Sequence, residues 1–313
     1  MTRALFVSVV VLSACSGQIA PLDDAGPVSG ADAGVQVDAG AGDAGATDAG
    51  VAALDAGPVA CPSTAALCES FEDGLDLTRW SINGDAATFV IDGTTPTPSG
   101  QKSLHVMYGL PRGHAGQQSI ELKGRVAAPD DRMYLRTYMR FGDLSLPGPH
   151  PFFIDVSDST GRELGFGSII NDFAFMAYAP QGLDDSRTWY EGDGFWHPGV
   201  ENGDATPNTE NTLTAQTWVC VELMYFGDHQ APGDTQHPGE EVKVWLNGTE
   251  IPQMSVTDAI WASDLGHAPP EHWSPVYSEA TWRFGVESFG PENVNLDLWF
   301  DGIVFSTQRV GCL

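Results

Sequence analysis

The amino-acid sequence predicts an all-β domain of two packed antiparallel sheets, a sandwich or jelly roll, over residues 61–313. Short apolar segments recur along this region, Gly, Pro, Asn and Asp separate them, and there is almost no helical periodicity. The predicted strands lie at 103–108, 118–123, 133–141, 152–156, 165–170, 173–178, 218–226, 241–246, 282–288 and 296–305. A region of about 250 residues is a common size for one large β domain.

The clearest local signal is a β-hairpin at residues 242–251. Asn247-Gly248 supplies the two positive-φ residues that a tight type I′ turn needs. One short helix is expected at 257–263. Residues 180–215 contain no convincing strand and are rich in Gly, Asp, Asn and Pro, which predicts a long loop.

The first 15 residues predict an export signal. Arg3 precedes a short apolar run at 4–12, and the sequence Leu12-Ser13-Ala14-Cys15 resembles a bacterial lipobox, in which the cysteine is acylated. An ordinary secretory signal with an incidental cysteine is the alternative. Lipidation at Cys15 would anchor the protein without a membrane-spanning helix. Ser16, not Asp, directly follows the cysteine, and the resemblance to Gram-negative lipoproteins then implies an outer-membrane lipoprotein or a protein of the extracellular surface.

Residues 16–60 predict a disordered tether. Asp-Ala-Gly occurs six times, and the stretch contains no aromatic residue, Lys or Arg. Such a segment cannot bury enough apolar surface to offset its ordering entropy. We therefore expect it to hold the folded domain away from a surface.

The charge of residues 61–313 argues against a nucleic-acid-binding role. This region carries 35 acidic and 13 basic residues, and an acidic domain is repelled by phosphate backbones. Six of the bases fall between Arg112 and Arg140, which leaves room for an anionic ligand. The expected state is a monomer.

Four cysteines remain once Cys15 is acylated, and an exported protein can form disulfides. Four cysteines allow three pairings. Their spacing favours a bond between Cys61 and Cys68 at the start of the domain, and a bond between Cys220 and Cys312 that ties a central strand to the C-terminal one.

The segment 134–141 alternates with period two, which predicts a strand with two unlike faces. One face holds apolar residues and is expected in the core: Leu135, Met139 and Phe141. The other carries two phenols and two guanidinium groups: Tyr134, Arg136, Tyr138 and Arg140. Such a face can stack on a sugar or bind an anion.

Several short motifs occur in an order that resembles a known family. They are Cys-Glu-Ser-Phe-Glu-Asp-Gly at 68–74, Ser-Gly-Gln-Lys-Ser-Leu at 99–104, Trp-Val-Cys-Val-Glu at 218–222, Val-Trp-Leu-Asn-Gly at 244–248 and Leu-Trp-Phe-Asp-Gly-Ile-Val-Phe-Ser at 298–306. This order resembles concanavalin A-like jelly rolls of the polysaccharide-lyase type, in particular the fungal cellulose-induced-protein and glucuronan-lyase group and its bacterial lipoprotein relatives. The resemblance covers residues 61–313. It implies that a concave sheet receives a polysaccharide, here expected to be anionic.

The resemblance also implies a structural calcium site. Its expected ligands are Glu72, the backbone carbonyl of Lys102, and Asp301, which would join the first and last strands. The alternative is that both acids lie in solvated turns.

Polyuronate cleavage by β-elimination is the enzymatic hypothesis. It requires a group that neutralises the uronate carboxylate, a base for the C5 proton and an acid for the leaving oxygen. The candidate catalytic residues are Arg136, Tyr138 and Arg140 on the strand face, with His114 and His150 in flanking loops. The chain lacks the Gln-x-His and Arg-x-Glu-Leu-Arg motifs of alginate-lyase-type enzymes, so binding without turnover is the alternative.

Aromatic residues in the long loop are candidates for sugar stacking: Trp189, Tyr190 and Trp196, together with Tyr134 on the strand. Glycoside hydrolysis is a weaker hypothesis, because Glu222 and Glu287 lie on strands but no spacing pairs them. A non-catalytic envelope or adhesion lipoprotein is the remaining alternative.

Overall fold

The structure is a computed structural model that describes residues 61–109, 116–144, 151–169, 172–178, 194–196, 212–227, 239–257, 274–288 and 294–313. All of them belong to one compact unit, Leu54–Leu313. The predicted signal, the lipidation site Cys15 and the Asp-Ala-Gly tether lie outside the described residues. No helix within the described ranges has the length and apolarity needed to cross a membrane.

The described residues form sixteen strands and four single-turn 3₁₀ helices. The strands are β1 (Ala65–Glu69), β2 (Trp80–Asn83), β3 (Phe89–Asp92), β4 (Ser103–Tyr108), β5 (Gln118–Leu122), β6 (Arg132–Phe141), β7 (Phe152–Ser157), β8 (Glu163–Ile169), β9 (Asp172–Tyr178), β10 (Gly194–Trp196), β11 (Trp218–Phe226), β12 (Glu241–Leu246), β13 (Thr249–Glu250), β14 (Val256–Thr257), β15 (Thr281–Glu287) and β16 (Leu296–Ser306). The 3₁₀ turns are Ala86–Thr88, Pro129–Asp131, Pro252–Met254 and Tyr277–Glu279.

The strands form two antiparallel sheets that pack into a sandwich. The nine-stranded sheet has the order β13-β12-β11-β6-β16-β4-β3, with β1 paired to β16 and β14 paired to β12. The seven-stranded sheet has the order β10-β9-β8-β7-β15-β5-β2. The chain passes repeatedly from one sheet to the other, as in a jelly roll. The predicted all-β sandwich is therefore confirmed.

The core lies between the two sheets and is rich in aromatic residues. Trp282 of β15 packs against Tyr225 of β11 and Phe305 of β16, with ring centroids 5.3 Å and 4.9 Å away. Phe284 of β15 contacts Phe300 of β16 at 5.9 Å. Burial of each such side chain contributes about 1.5–3 kcal/mol to stability, so these contacts are a main reason why the two sheets stay together.

Strand β16 contains a bulge that changes which of its residues face the core. Its register with β6 shifts between Asp301 and Val304, and Gly302 has φ of 56°. Because of the shift, Phe300 and Ile303 both lie in the core, although they are three residues apart. Asp301 is displaced from the alternation at the same point.

Nine of the ten predicted strands lie on observed strands to within one residue at each described end, and the tenth is β8, which begins two residues earlier. The hairpin is confirmed, with φ of 49° at Asn247 and 84° at Gly248. Strands β1, β2 and β3 were not predicted, because each is short and carries few alternating apolar residues. The short strand β10 corrects the expectation that 180–215 contains none. Of the expected helix, Thr257 ends β14 and the remainder lies outside the described residues.

Both predicted disulfides are confirmed. Cys61 is bonded to Cys68 across 7 residues, and Cys220 is bonded to Cys312 across 92 residues. The second bond fixes the C-terminal tail to β11, in the centre of the nine-stranded sheet.

Candidate functional site

The predicted strand face of Tyr134, Arg136, Tyr138 and Arg140 lies on the outer side of β6. The two-sided pattern is confirmed, because Leu135, Met139 and Phe141 lie in the core. The outer face, however, is closed at its centre. Arg136 is 3% exposed and Tyr138 is 4% exposed.

The C-terminal tail covers this centre. The backbone amide of Leu313 donates a hydrogen bond of 2.7 Å to the Tyr138 hydroxyl, and Arg136 donates one of 3.4 Å to the carbonyl of Gly311. The Cys220–Cys312 disulfide holds the tail against the neighbouring strand. The tail is thus a structural cover for β6.

Glu222 anchors the same tail from β11. One of its oxygens accepts hydrogen bonds from Arg309, at 2.8 Å and 3.1 Å, and the other accepts one of 2.6 Å from the backbone amide of Gly311. The Arg309 guanidinium also lies 4.6 Å from the ring centre of Trp245. Glu222, a glycosidase candidate by sequence, is therefore a structural carboxylate here.

The outer face of β6 is thus less open at Arg136 and Tyr138 than the sequence predicted, and the catalytic role of these residues stays a prediction. Burial lowers the pKa of Arg136 and raises the pKa of Tyr138. A ligand would have to displace the disulfide-bonded tail to reach the Tyr138 hydroxyl, whereas Arg136 also lines the cavity beside β1. At the ends of the strand, Tyr134 is half-buried, and the Arg140 guanidinium lies 4.8 Å from the ring centre of Trp299.

Two of the three predicted calcium ligands, Glu72 and Asp301, accept hydrogen bonds from backbone amides in the segment 99–102. Glu72 accepts hydrogen bonds from the backbone amides of Gln101 and Lys102, at 2.6 Å and 2.8 Å. Asp301 is fully buried; its Oδ2 accepts one of 3.0 Å from the Ser99 amide, whereas its Oδ1 has no hydrogen-bond partner. Burial raises the pKa of Asp301. The unpartnered oxygen fits a cation ligand, while Glu72 is already held by amide donors, so the calcium site stays a prediction.

A cavity of about 550 Å³ lies beside β1 on this side of the molecule. It is lined by Glu69, Arg79, Ser99 and Arg136, among others. Arg79 donates a hydrogen bond of 2.8 Å to the Cys68 carbonyl and lies 3.7 Å from Glu69. The charges of Arg79 and Glu69 are thus already paired.

Several predicted site residues cannot be placed. His114, His150, Trp189 and Tyr190 lie outside the described residues. The backbone of Trp196 is in β10, opposite Phe175 of β9. Trp196 therefore belongs to the seven-stranded sheet, whereas the charged face of β6 belongs to the other.

The outer face of the seven-stranded sheet carries a second group of polar residues, centred on Arg283 of β15. Arg283 donates hydrogen bonds to Glu121 at 3.0 Å, to Asp155 at 2.5 Å and to Ser157 at 3.2 Å. Trp282 and Phe284, its neighbours in sequence, face the core. Because β15 lies between β5 and β7, its outward guanidinium reaches both adjacent strands.

Further hydrogen bonds extend this polar face across the sheet. Asn83 of β2 donates to Glu121 at 3.1 Å, and Gln117, just before β5, donates to Glu287 of β15 at 2.9 Å. We call this set the Arg283 face: Asn83, Gln117, Ser119, Glu121, Asp155, Ser157, Glu163, Arg283 and Glu287. Strands β2, β5, β15, β7 and β8 supply its members.

Three carboxyl groups crowd together within the Arg283 face. Asp155, Glu163 and Glu287 each place an oxygen within 4.8 Å of the others. Burial, and then repulsion by Glu163, raise the pKa of Asp155 well above its usual value, against the opposing effect of Arg283. The same two causes raise the pKa of Glu287. The cluster can therefore hold protons or a cation.

Sequence reasoning missed most of the Arg283 face. It noted that Glu287 lies on a strand but found no partner for it. A usable signal was present, since Asp155 and Arg283 are single charges inside otherwise apolar strands, Phe-Phe-Ile-Asp-Val and Trp-Arg-Phe-Gly-Val. The sequence does not show that β5, β15, β7 and β8 are neighbours in one sheet.

Solved structures provide the comparison for this architecture. A structure described as the cellulose induced protein Cip1 has a TM-score of 0.55 and 23% sequence identity, and the match covers 79% of this chain and 100% of that one. The fold is a concanavalin A-like jelly roll. An alginate lyase of a Chlorella virus, vAL-1, matches this jelly roll with a TM-score of 0.44 and 12% identity over 73% of this chain and 99% of that one. The sequence matches no protein-family model and no curated protein.

Proposed function

We propose that the protein is a polysaccharide-binding jelly roll whose binding surface is the Arg283 face. The observation that carries the proposal is the row of hydrogen-bonding side chains that five strands place on one sheet. Carboxylates, amides and guanidinium groups on rigid strands are suited to sugar hydroxyls, because each offers fixed donors or acceptors. Cip1 and the alginate lyase are named for cellulose induction and alginate cleavage, which agrees with a carbohydrate ligand.

The half-buried state of the Arg283 face supports this choice. The Arg283 and Glu121 side chains are 24% and 30% exposed, so they are oriented by their neighbours but still reach solvent. Fixed polar groups lose little conformational entropy on binding. By contrast, Tyr138 is covered by the tail and would have to be uncovered first.

Polyuronate β-elimination on the same face is the second candidate function. Arg283 is the guanidinium of this face, and it would exchange its contacts with Glu121 and Asp155 to neutralise a uronate carboxylate. The two histidine candidates for the base, His114 and His150, come shortly before β5 and β7 in the sequence, and both strands contribute to the Arg283 face. In this form of the lyase hypothesis, the reaction takes place on the seven-stranded sheet and not on β6.

The cellular setting belongs to the proposal as well. Lipidation at Cys15 and the acidic tether would present the domain at the outer membrane or the extracellular surface, as a monomer. A calcium ion at Glu72, Lys102 and Asp301 would tie the start of the domain to β16. The alternative is a non-catalytic envelope or adhesion lipoprotein.

Affinity electrophoresis through gels that contain glucuronan, alginate or pectate tests the binding surface. We expect retardation of the wild-type protein, loss of retardation in Arg283→Gln, and no change in Arg140→Gln, which removes the same charge from the outer face of the other sheet. Loss in Arg140→Gln with retention in Arg283→Gln would place the ligand on β6 and contradict the proposal. No retardation by any polymer would favour the envelope role.

The same proteins and polymers test turnover. A lyase produces an unsaturated uronate, which absorbs in the ultraviolet. Growth of this absorbance with wild-type protein and its loss in Arg283→Gln would support elimination. Retardation without absorbance growth would leave a binding module.

A further inference from the structure

We propose that Asp155, Glu163 and Glu287 bind one hard divalent cation, such as calcium, on the outer face of the seven-stranded sheet. This position is distinct from the site predicted at Glu72, Lys102 and Asp301. The three residues come from β7, β8 and β15, and β7 lies directly between the other two strands. The cluster is therefore built on the rigid part of the sheet.

The separation of the carboxyl groups fits one shared ion. One oxygen from each residue lies within 4.8 Å of the others. Two oxygens that each stand about 2.5 Å from a calcium ion are at most about 5 Å apart. The three groups therefore meet the separation that one shared ion requires.

Buried polar atoms without partners point into the same place. Asp155 and Ser119 are each 3% exposed, and neither Oδ1 of Asp155 nor Oγ of Ser119 has a hydrogen-bond partner. Both residues line a small cavity with Glu287 and Arg283. Buried oxygens without partners are uncommon in folded proteins, and a bound ion or an ordered water is one explanation for them.

The size of this cavity favours an ion over a sugar. Its volume is about 10 Å³, which is about the space for one water molecule. A divalent ion fits this space beside Asp155 and Glu287, and a pyranose ring does not; Glu163 joins them through the carboxylate cluster and does not line the cavity.

The charge around the cluster also favours a cation. Glu121, Asp155, Glu163 and Glu287 surround one guanidinium, and the described hydrogen bonds of Arg283 go to Glu121, Asp155 and Ser157. An excess of negative charge remains, and either protons or a metal ion must balance it. Oxygen-only ligands select a hard ion such as calcium, magnesium or manganese.

A bound cation would also explain how an acidic face takes an anionic polymer, and this part rests on the proposed function. Calcium accepts six to eight oxygens, more than three carboxyl groups in single contacts provide. A uronate carboxylate can fill an open position. The ligand class that follows is an acidic polysaccharide bound through calcium.

Calorimetric titration of the purified protein with calcium, after treatment with a chelator, tests the ion site. We expect binding by the wild type, and affinity at least about tenfold weaker in Glu163→Gln and in Glu287→Gln, since each removes one charged ligand. Glu250→Gln, an exposed site on β13 with the same charge change, should bind as the wild type does. Thermal unfolding in chelator confirms that each variant is folded.

Three outcomes would overturn the ion site. The first is no binding by the wild type, which would leave protons as the balancing charge. The second is unchanged affinity in both Glu163→Gln and Glu287→Gln. The third is loss of all calcium binding in Glu72→Gln with none lost in Glu163→Gln, which would assign the ion to the other predicted site.

Gel retardation with and without chelator separately tests the bridge, meaning the binding of a uronate carboxylate through calcium. Retardation that is lost in chelator and in Glu163→Gln supports the bridge. Retardation that persists in chelator overturns the bridge while polysaccharide binding stands. Calcium binding without retardation by any polymer overturns the proposed function and leaves the ion site in place.

Discussion

The hydroxyl of Tyr138 accepts a hydrogen bond of 2.7 Å from the backbone amide of Leu313. The two residues are 175 positions apart in the sequence. Their contact places the tail over β6, the strand whose outer face carries Arg136 and Arg140. The Arg136 guanidinium and the Tyr138 phenol, on the outer face of this strand, therefore contact the tail. The charged face that is half-open to solvent lies on the other sheet, around Arg283.

Substitution of Arg309 should release the tail. Arg309→Ala removes two hydrogen bonds from Glu222, whose side chain is 2% exposed, while Arg309 itself is 38% exposed. Because the carboxylate is buried and the arginine partly solvated, we expect a loss of about 2 kcal/mol in the free energy of unfolding. Denaturant unfolding measures it. Lys243→Ala, which breaks the more exposed pair with Glu241, should cost less than about 1 kcal/mol; equal losses would contradict the anchoring role.

The two disulfides should differ in their contribution to stability. Opening the Cys220–Cys312 bond frees a loop of 92 residues, and opening Cys61–Cys68 frees one of 7. Loop-closure entropy then predicts losses of about 4–5 kcal/mol and about 2 kcal/mol. Paired Cys→Ser variants in denaturant unfolding test the order. A larger loss for the short loop would show that entropy of the unfolded chain is not the dominant effect.

Stability in the absence of metal ions should decline as pH rises above about 4. Burial and repulsion by Glu163 raise the pKa values of Asp155 and Glu287, so the folded state binds more protons than the unfolded state, whose carboxyl pKa values are about 4. Their contribution is complete below that pH and is lost as pH rises through the raised values. Asp76, whose pKa the Thr78 hydrogen bonds lower, acts in the opposite direction and only at lower pH.

Thermal unfolding in chelator across this pH range measures the decline. Glu163→Gln removes the repulsion that both pKa shifts share, so its decline should be shallower than that of the wild type. Equal slopes would mean that the three carboxyl groups do not interact in the folded protein.

Gly285 should be intolerant of a side chain. A Cβ at this position would lie 2.1 Å from the backbone carbonyl oxygen of Gln118 on the adjacent strand, and backbone cannot move aside cheaply. We expect Gly285→Ala to cost about 3 kcal/mol. Gly93→Ala is the control, because its nearest neighbour would be a Lys102 carbon at 3.8 Å. Thermal unfolding of both variants distinguishes them, and a neutral Gly285→Ala would show that β5 and β15 can separate.

Much of the fold was predictable because its signals are local. Alternation of apolar residues identifies β6, β11 and β16, and Asn247-Gly248 identifies the turn after β12. Short edge strands such as β2 and β3 were missed, since their residues satisfy no clear period and they exist through pairing with β5 and β4. Disulfide pairing followed from spacing.

The candidate site was predictable only in part. The sequence alone determined the class of fold, the two faces of β6 and the disulfide pairs, because alternation and spacing are properties of the chain. Tertiary structure decided that Leu313 covers Tyr138, and that Arg283 meets Glu121 and Asp155 from two neighbouring strands. The physical reason is that burial and charge pairing depend on the order of the strands in each sheet. That order brings together residues 128 and 162 positions apart in the sequence, and no local pattern encodes it.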